Sequence, residues 1–189
     1  LENKPSNIFG FDISWSRLKF GKNFLNEFEI QNVNLFTGNL FEIPLKDNSV
    51  DVVYTSHSIE PNGGKEEAAL KELYRITKKY LILLEPSFEF ANEKAKKRMK
   101  ENGYVTELYS TAVKLNYNIV EHKLFEYTSN ALNPTGIMVI EKKETVPNSL
   151  GLVCPISHTE LIDYNECLLY SKQNFLAYPV IDGIPCLLK

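Results

Sequence analysis

The sequence predicts an α/β fold with a mostly parallel sheet, an antiparallel edge strand and a small, mainly-β C-terminal module. Two observations support this prediction. Strand-like and helix-like segments alternate from Ile8 to about Lys143, and no helical periodicity remains after about Leu150. Alternation of this kind is typical of a parallel sheet with helices on both faces. With 43% hydrophobic and 24% charged residues among 189, the chain has the composition of a soluble globular protein.

Six short apolar segments bounded by turn residues are predicted as strands. They are Ile8–Phe11, Val33–Phe36, Val50–Tyr54, Tyr80–Leu84, Ile119–Phe125 and Gly136–Glu141. The segment from 80 to 84 is apolar throughout, which is typical of a strand covered on both faces. No helix separates the last two strands, so we expect them to pair antiparallel at an edge.

Helices are predicted where apolar residues recur every three or four positions. Ser14 is a candidate N-cap for the first helix, the segment from 66 to 77 forms the second, a charged stretch from 89 to 101 the third, and a segment starting near Val105 the fourth. Basic residues cluster on the third helix at Lys94, Lys96, Lys97, Arg98 and Lys100. A solvated helix face is favoured over a docking patch.

Charge and cysteine content limit the classes of function. The net charge is -3, so nucleic acid is a possible partner but not a favoured one. No apolar run approaches the roughly 18 residues of a membrane span, so we predict no membrane partner. Three cysteines, all in the last quarter, do not suggest a disulfide scaffold, and a cytoplasmic location is predicted.

The residues just past each strand are the candidates for ligand binding, because open α/β sheets bind ligands at the carboxyl ends of their strands. Asp12 follows the first strand, and its carboxylate is suited to accept hydrogen bonds from both ribose hydroxyls of a nucleoside. Capping of the following helix is an equally good interpretation of Asp12.

Two ordered groups of motifs resemble class I S-adenosylmethionine-dependent methyltransferases. The first runs G-F-D-I-S, then G-N-L-x-x-I-P-L-x-D-N-S-V-D-V-V; the second runs A-A-L-K-E-L-Y-R-I-T-K, then Y-L-I-L-L-E-P. The resemblance covers about residues 8–142 and implies a Rossmann-like sheet, the cofactor S-adenosylmethionine and methyl transfer to an unknown acceptor. The predicted domains are a methyltransferase-like domain over 1–145, lacking its first strand and helix, and a small module over 150–189.

The resemblance also implies roles for individual residues. Asp12 would bind the ribose hydroxyls, Ile13 would pack on the adenine face, and the Leu40 amide would face an adenine ring nitrogen. Asn39 stands where the family usually has an aspartate that accepts from the adenine amino group, and an amide oxygen can still accept. Thr55 and Ser56 would line the cofactor channel.

His57 is the candidate catalytic residue, as a general base or an orienting group for the acceptor. The alternative is that His57 is a hydrogen-bonded loop histidine without a catalytic role. The same two interpretations apply to Glu60. Methyl transfer from a sulfonium needs proximity and alignment above all, so a dedicated base is not essential.

The glycine-rich G-x-G turn that ends the family's first strand has no counterpart among the nine glycines. Leu1 to Asn7 is interpreted as the end of a first helix plus a turn. We therefore expect an upstream segment that supplies the first strand and helix, and with them the recognition of the methionine end of the cofactor. The alternative is a non-catalytic methyltransferase-like protein that serves as a binding or regulatory module.

The C-terminal segment resembles a short zinc-ribbon-like family related to the activator subunit of some methyltransferases. The motifs are C-P-I-S at 154–157 and A-Y-P-V-I-D-G-I-P at 177–185. Two of that family's cysteine positions hold Ser157 and Ser171, and serine is a poor zinc ligand, so no metal site is predicted. The resemblance implies a module that docks on the larger domain or on a partner, and Asp182-Gly183 is predicted to be a hairpin turn.

Nicotinamide-dependent dehydrogenases share the arrangement of a strand followed by an acidic residue. The D-N-S-V-D-V-V segment and the order of the later elements favour a methyltransferase over that class.

Overall fold

The computed structural model describes residues 5–127, 130–143 and 146–188. Leu1–Lys4, which belong to the predicted end of a first helix, lie outside the described residues, as do 144–145 at the end of the predicted larger domain. Within these ranges the elements are, in chain order, β1 Ile8–Asp12, α1 Trp15–Glu27, β2 Val33–Thr37, β3 Val50–Ser56, α2 Glu66–Ile76, β4 Thr77–Pro86, α3 Glu93–Glu101, α4 Leu108–Lys114, β5 Asn118–Leu124, β6 Thr135–Glu141, β7 Ile162–Tyr164, β8 Leu168–Ser171, β9 Leu176–Ile181 and β10 Ile184–Pro185.

The chain divides into two compact units. The first combines residues 1–45 with 151–189, and the second comprises residues 46–150. The predicted boundary between a domain over 1–145 and a module over 150–189 stays a prediction. Within the described ranges, no helix has both the length and the apolar character to span a membrane.

The first unit joins a β-α-β motif to the C-terminal strands. β1 and β2 are parallel, with Asp12 opposite Thr37, and α1 connects them. Ser14 is the N-cap of α1, as predicted, and its hydroxyl accepts from the Arg17 amide. The C-terminal strands form a separate antiparallel sheet in the order β10-β9-β8-β7. The Asp182-Gly183 hairpin is confirmed, because β9 and β10 pair with Ile184 opposite Ile181.

Several contacts hold the C-terminal strands to the β-α-β motif of the same unit. Thr37 forms a parallel bridge with Cys186, and Leu45 forms an antiparallel bridge with Leu152. The Trp15 indole donates to the carbonyl of Ile181 at 3.4 Å. Residues distant in sequence therefore share one folded unit.

The second unit is a mixed four-stranded sheet in the order β3-β4-β6-β5. β3 and β4 are parallel with α2 between them, whereas β6 is antiparallel to both β4 and β5. The antiparallel pairing of the last two strands agrees with the sequence. The structure confirms a mixed α/β fold that contains parallel strand pairs. The sheet of this unit is not mostly parallel, because β6 is antiparallel to both of its neighbours.

Local side-chain chemistry explains the element boundaries. α2 buries Ala69, Leu70, Leu73 and Ile76, the face predicted from their spacing. α3 begins at Glu93 and not at Glu89, because Asn92 caps it by accepting from the Ala95 amide at 2.9 Å.

β1 and β3 each have one free edge in the part of the chain that the structure describes. β1 pairs only with β2, and β3 pairs only with β4. The side chains of Val52 and Tyr54 on β3 are 48% and 68% exposed, although residues of parallel strands are usually covered. Exposed strand edges of this kind are open to pairing with a further strand.

Candidate functional site

The predicted ribose ligand, Asp12, lies at the carboxyl end of β1. Its Oδ1 accepts from the amide of Ser14 at 2.8 Å, whereas the N-cap of α1 is Ser14 itself and not Asp12. Its Oδ2 lies 3.7 Å from the guanidinium of Arg17, which is itself 79% exposed. A carboxylate has about four acceptor positions. This hydrogen bond therefore leaves acceptor capacity on Asp12 for a ligand, and the role of Asp12 toward a ribose stays a prediction.

The loop after β2 lies next to Asp12 because the two strands are parallel and in register. The Gly38 amide donates to the Asp12 carbonyl at 3.1 Å. A Cβ at Gly38 would lie 3.2 Å from ring atoms of both Phe11 and Phe36, so a side chain there would crowd the aromatic core. The sequence G-F-D and the sequence T-G-N-L are thus brought together at one edge.

Asn39 and Leu40 complete this loop. The Asn39 Oδ1 accepts from the Phe41 amide at 3.1 Å, so an adenine amino group would have to share this oxygen. Among the residues that the structure describes, the Leu40 amide has no hydrogen-bond acceptor. Ile13, the predicted partner of the adenine face, is 67% exposed. The first unit therefore offers a free donor and an exposed aliphatic side chain beside a carboxylate.

The second unit holds Thr55, Ser56 and His57 in sequence at the carboxyl end of β3. Thr55 is 6% exposed, whereas Ser56 faces solvent. His57 has a φ of +50°, a left-handed conformation that is uncommon without glycine. The His57 amide donates to the Leu84 carbonyl at 3.0 Å, so the start of the loop is still hydrogen-bonded to β4.

Glu85, at the end of β4, fixes the loop that carries His57. Its carboxylate accepts from the amides of Ser58, Ile59 and Glu60 at 3.0, 3.2 and 3.2 Å. The side chain is 3% exposed, and burial raises the pKa of Glu85, against the lowering effect of these amides. Sequence reasoning did not identify this residue; a carboxylate that ends a fully apolar strand was the available signal.

Both ring nitrogens of His57 are engaged. Nδ1 lies 2.5 Å from Glu60 Oε2, and Nε2 lies 2.9 Å from the Thr135 hydroxyl. Glu60 Oε1 also accepts from the Asn133 side-chain amide at 3.2 Å. The carboxylate favours a proton on Nδ1, which leaves Nε2 as the acceptor in the neutral ring. The hydrogen-bonded histidine weighed from sequence is what the structure contains, and catalysis by His57 stays a prediction.

A second histidine, missed from sequence, lies near the same strand end. His122 on β5 stacks on Tyr109 with ring centroids 4.2 Å apart and lies 4.9 Å from the Phe90 ring. Burial lowers the pKa of His122, partly opposed by Glu89. His122, Glu85 and Glu89 line a cavity of about 20 Å³, room for about one water molecule.

The predicted residues fall into two sets. Asp12, Ile13, Asn39 and Leu40 belong to the first unit, and the segment 55–57 belongs to the second. Across the described part of the chain, no group of three or more His, Cys, Asp or Glu side chains is arranged to hold a metal ion.

Comparisons with known proteins point to one class. Residues 1–84 match the family model described as a methyltransferase domain. A demethylmenaquinone methyltransferase from Listeria welshimeri is 35% identical over 72 residues, which cover 38% of this chain and 30% of that protein. The chain thus aligns with less than a third of the length of this curated relative.

Solved structures show the same fold at low identity. A SAM-dependent methyltransferase from Methanosarcina mazei superposes with a TM-score of 0.57 at 16% identity, covering 72% of this chain and 82% of that one. Magnesium protoporphyrin IX methyltransferase from Synechocystis, solved with bound SAH, gives a TM-score of 0.56 at 14% identity, covering 72% and 64%. Together the comparisons support the class predicted from sequence, an S-adenosylmethionine-dependent methyltransferase.

Proposed function

We propose that the first unit provides the adenosine-binding part of an S-adenosylmethionine-dependent methyltransferase. The main support is structural: the loops that follow β1 and β2 lie side by side at the carboxyl ends of these two parallel strands. In addition, the first 84 residues match a methyltransferase domain. Asp12 would accept from the ribose hydroxyls, and the Leu40 amide would donate to an adenine ring nitrogen. The exposed Ile13 side chain would cover the adenine face.

S-adenosylmethionine, when bound, supplies an electrophilic methyl group to an acceptor nucleophile. The residues of this chain would then act by position and by handling one proton. His57, held by Glu60 through Nδ1, would accept a proton at Nε2 once the acceptor takes the place of the Thr135 hydroxyl. Glu85 would act as a positioning residue, because its three amide bonds fix the loop.

The free edge of β1 favours a further strand supplied from outside the described residues. We propose that such a strand, from an upstream segment, carries the recognition of the methionine end. On this proposal, residues 1–189 alone bind adenosine compounds weakly and transfer methyl groups slowly or not at all.

Calorimetric titration with S-adenosylhomocysteine tests the proposal. Saturable binding is expected, and Asp12→Ala should weaken it at least tenfold because the charged acceptor for the ribose is lost. Asp51→Ala is the matched control, since Asp51 is an exposed carboxylate at the start of β3 that pairs with Lys78 and Lys79. Absence of binding at millimolar ligand, both by this chain and by a chain extended upstream, would refute the function.

The role of His57 is tested in the extended chain by its effect on turnover. His57→Gln should lower kcat, with little change in the affinity for S-adenosylhomocysteine. An unchanged kcat would assign His57 to loop structure alone. Binding of S-adenosylhomocysteine without any methyl transfer by the extended chain would favour the non-catalytic alternative.

We also propose that the C-terminal strands are a zinc-ribbon-like module that has lost its metal. Cys154 is buried, and its Sγ lies 3.4 Å from the Tyr178 hydroxyl and accepts from the Asn174 side-chain amide at 3.2 Å. Burial opposes ionisation of the thiol, but the polar groups of Ser157, Ser171 and Tyr178 around it lower the pKa of Cys154 to about 6.

Replacing both serines by cysteine should recreate a thiolate cluster. The double variant Ser157→Cys, Ser171→Cys should bind Co²⁺ with the intense near-ultraviolet and visible absorption of thiolate coordination, and each single variant should bind it much more weakly. Equal absorption by the single and double variants would contradict the proposal.

A further inference from the structure

A cavity of about 500 Å³ that is partly open to solvent lies within the first compact unit. Its walls come from β1, α1, β2 and the C-terminal segment, and they are mostly apolar: Phe9, Val33, Leu35, Leu152, Leu161 and Leu169. Well-packed interiors contain few voids larger than a water molecule. A space of this size lies within the range of small-molecule pockets and is too large to be a packing defect.

The polar groups of the wall are a cation and an amide. Lys22 of α1 and Asn34 of β2 line the cavity, and no aspartate or glutamate does so among the described residues. Apolar pockets with one or two placed polar groups are typical of ligand sites, where the polar groups set orientation and selectivity. The charge of this wall is complementary to an anionic group.

Lys22 keeps its charge available. The nearby carboxylate of Asp182 pairs with Lys19 at 2.9 Å, whereas Lys22 Nζ donates to the Asp182 carbonyl at 2.6 Å. In the described structure no carboxylate forms an ion pair with Lys22. An ammonium group has three donors, so two remain for a ligand.

The hairpin between β9 and β10 holds this ammonium group in place. Gly183 has a φ of +66°, and a Cβ there would lie only 2.7 Å from Lys22 Nζ. The positive φ favours glycine at this turn, and the carbonyl of Asp182 in the same turn accepts from Lys22 Nζ. Such a fixed position reduces the entropy lost when Lys22 binds a ligand.

We propose that this cavity binds a small amphiphilic anion, with the apolar body against the leucine and phenylalanine walls and the anionic group on Lys22. None of the lining residues is among those assigned to the cofactor, so the proposal is independent of the proposed function. A straight-chain carboxylate of about ten carbons meets both requirements and serves as a probe.

Titration of the full chain with sodium decanoate, followed by calorimetry and by thermal unfolding, tests the proposal. One saturable site is expected, with a raised unfolding midpoint, because a ligand that binds only the folded state stabilises it. Decanol, which has the same chain without the charge, should bind at least tenfold more weakly. Equal binding of the two, non-saturable binding or no binding would each overturn the proposal.

Two variants locate the site. Lys22→Met keeps an apolar stem and should weaken decanoate at least tenfold, since a hydrogen bond to a charged group is lost. Lys172→Met, an exposed lysine of the same unit outside the cavity wall, should change affinity less than twofold. Leu161→Trp should fill the cavity and weaken binding at least tenfold without lowering the unfolding midpoint. Retention of wild-type affinity in both Lys22→Met and Leu161→Trp would place decanoate elsewhere and refute the assignment.

Discussion

At the scale of single residues, Glu85 links the stability of the second unit to the order of the His57 loop. Its carboxylate is buried and accepts three consecutive amides, from residues 58 to 60. Glutamine has one acceptor oxygen in place of two, so Glu85→Gln leaves amides of this loop without acceptors. We expect a cost of about 1–3 kcal/mol in the free energy of unfolding at neutral pH, measured by urea denaturation.

The cost of Glu85→Gln should depend on pH in a defined direction. Burial raises the pKa of Glu85 above its ordinary value of 4.5, so the folded state holds this proton more tightly than the unfolded state. The stability contributed by the group is complete below the unfolded pKa and is lost as pH rises through the folded pKa. The difference in unfolding free energy between wild type and variant should therefore shrink as the pH rises above the ordinary glutamate value of 4.5. A difference that grows with pH would show that the folded-state pKa is lowered.

Gly136 on β6 pairs with Glu85 of β4 and occupies a position that has no room for a side chain. A Cβ at this position of β6 would lie 2.7 Å from the Ser87 Cβ, which is bonded directly to the backbone and cannot rotate away. Gly136→Ala should therefore cost about 1–3 kcal/mol through overpacking.

Gly21→Ala is the matched control for Gly136→Ala. Gly21 lies within α1, and its added Cβ would meet only a leucine methyl at 4.0 Å. The change should stabilise the protein by about 0.5–1 kcal/mol. Urea denaturation measures both changes, and equal effects of the two substitutions would refute the packing argument.

At the scale of elements, α3 depends on its N-cap. Asn92 Oδ1 accepts from the Ala95 amide at 2.9 Å, and the helix is only nine residues long. Asn92→Ala should cost about 1 kcal/mol and speed hydrogen exchange of the first-turn amides, whereas Asn92→Asp should be near neutral because it keeps an acceptor. Equal losses from both substitutions would assign the role of Asn92 to packing.

Elements were predictable from sequence where their signals are local. The apolar runs of β1, β2 and β4, the helical spacing of α2 and the Asp182-Gly183 turn all depend on neighbours within a few positions. The loop of His57 was not predictable in detail, because Glu85 reaches it from 25 to 27 residues away. The hydrogen bond from the Phe41 amide to the Asn39 side chain is local. The sequence alone nevertheless does not show whether the Asn39 oxygen accepts from this amide or from a ligand.

At the scale of the whole molecule, the C-terminal segment is part of the unit that carries Asp12. The Val153 amide donates to the Pro44 carbonyl at 3.0 Å, and Lys19 pairs with Asp182 at 2.9 Å. These contacts join two stretches more than a hundred residues apart. The sequence predicts a small module over 150–189 because the pattern of the chain changes there, but the partners of its long-range contacts are not encoded locally.

Removing residues 151–189 should therefore unfold one unit selectively. In a chain of residues 1–150, amides of β1, α1 and β2 should exchange with solvent at least tenfold faster than in the full chain, because their partners in the C-terminal segment are lost. Amides of β4 and β6 should keep their protection, since their pairing lies wholly within 46–150. The full chain with Phe175→Ser, a change at an 81% exposed position, is the control and should exchange like the wild type. Unchanged protection of α1 after truncation would mean that the first unit folds without its C-terminal strands.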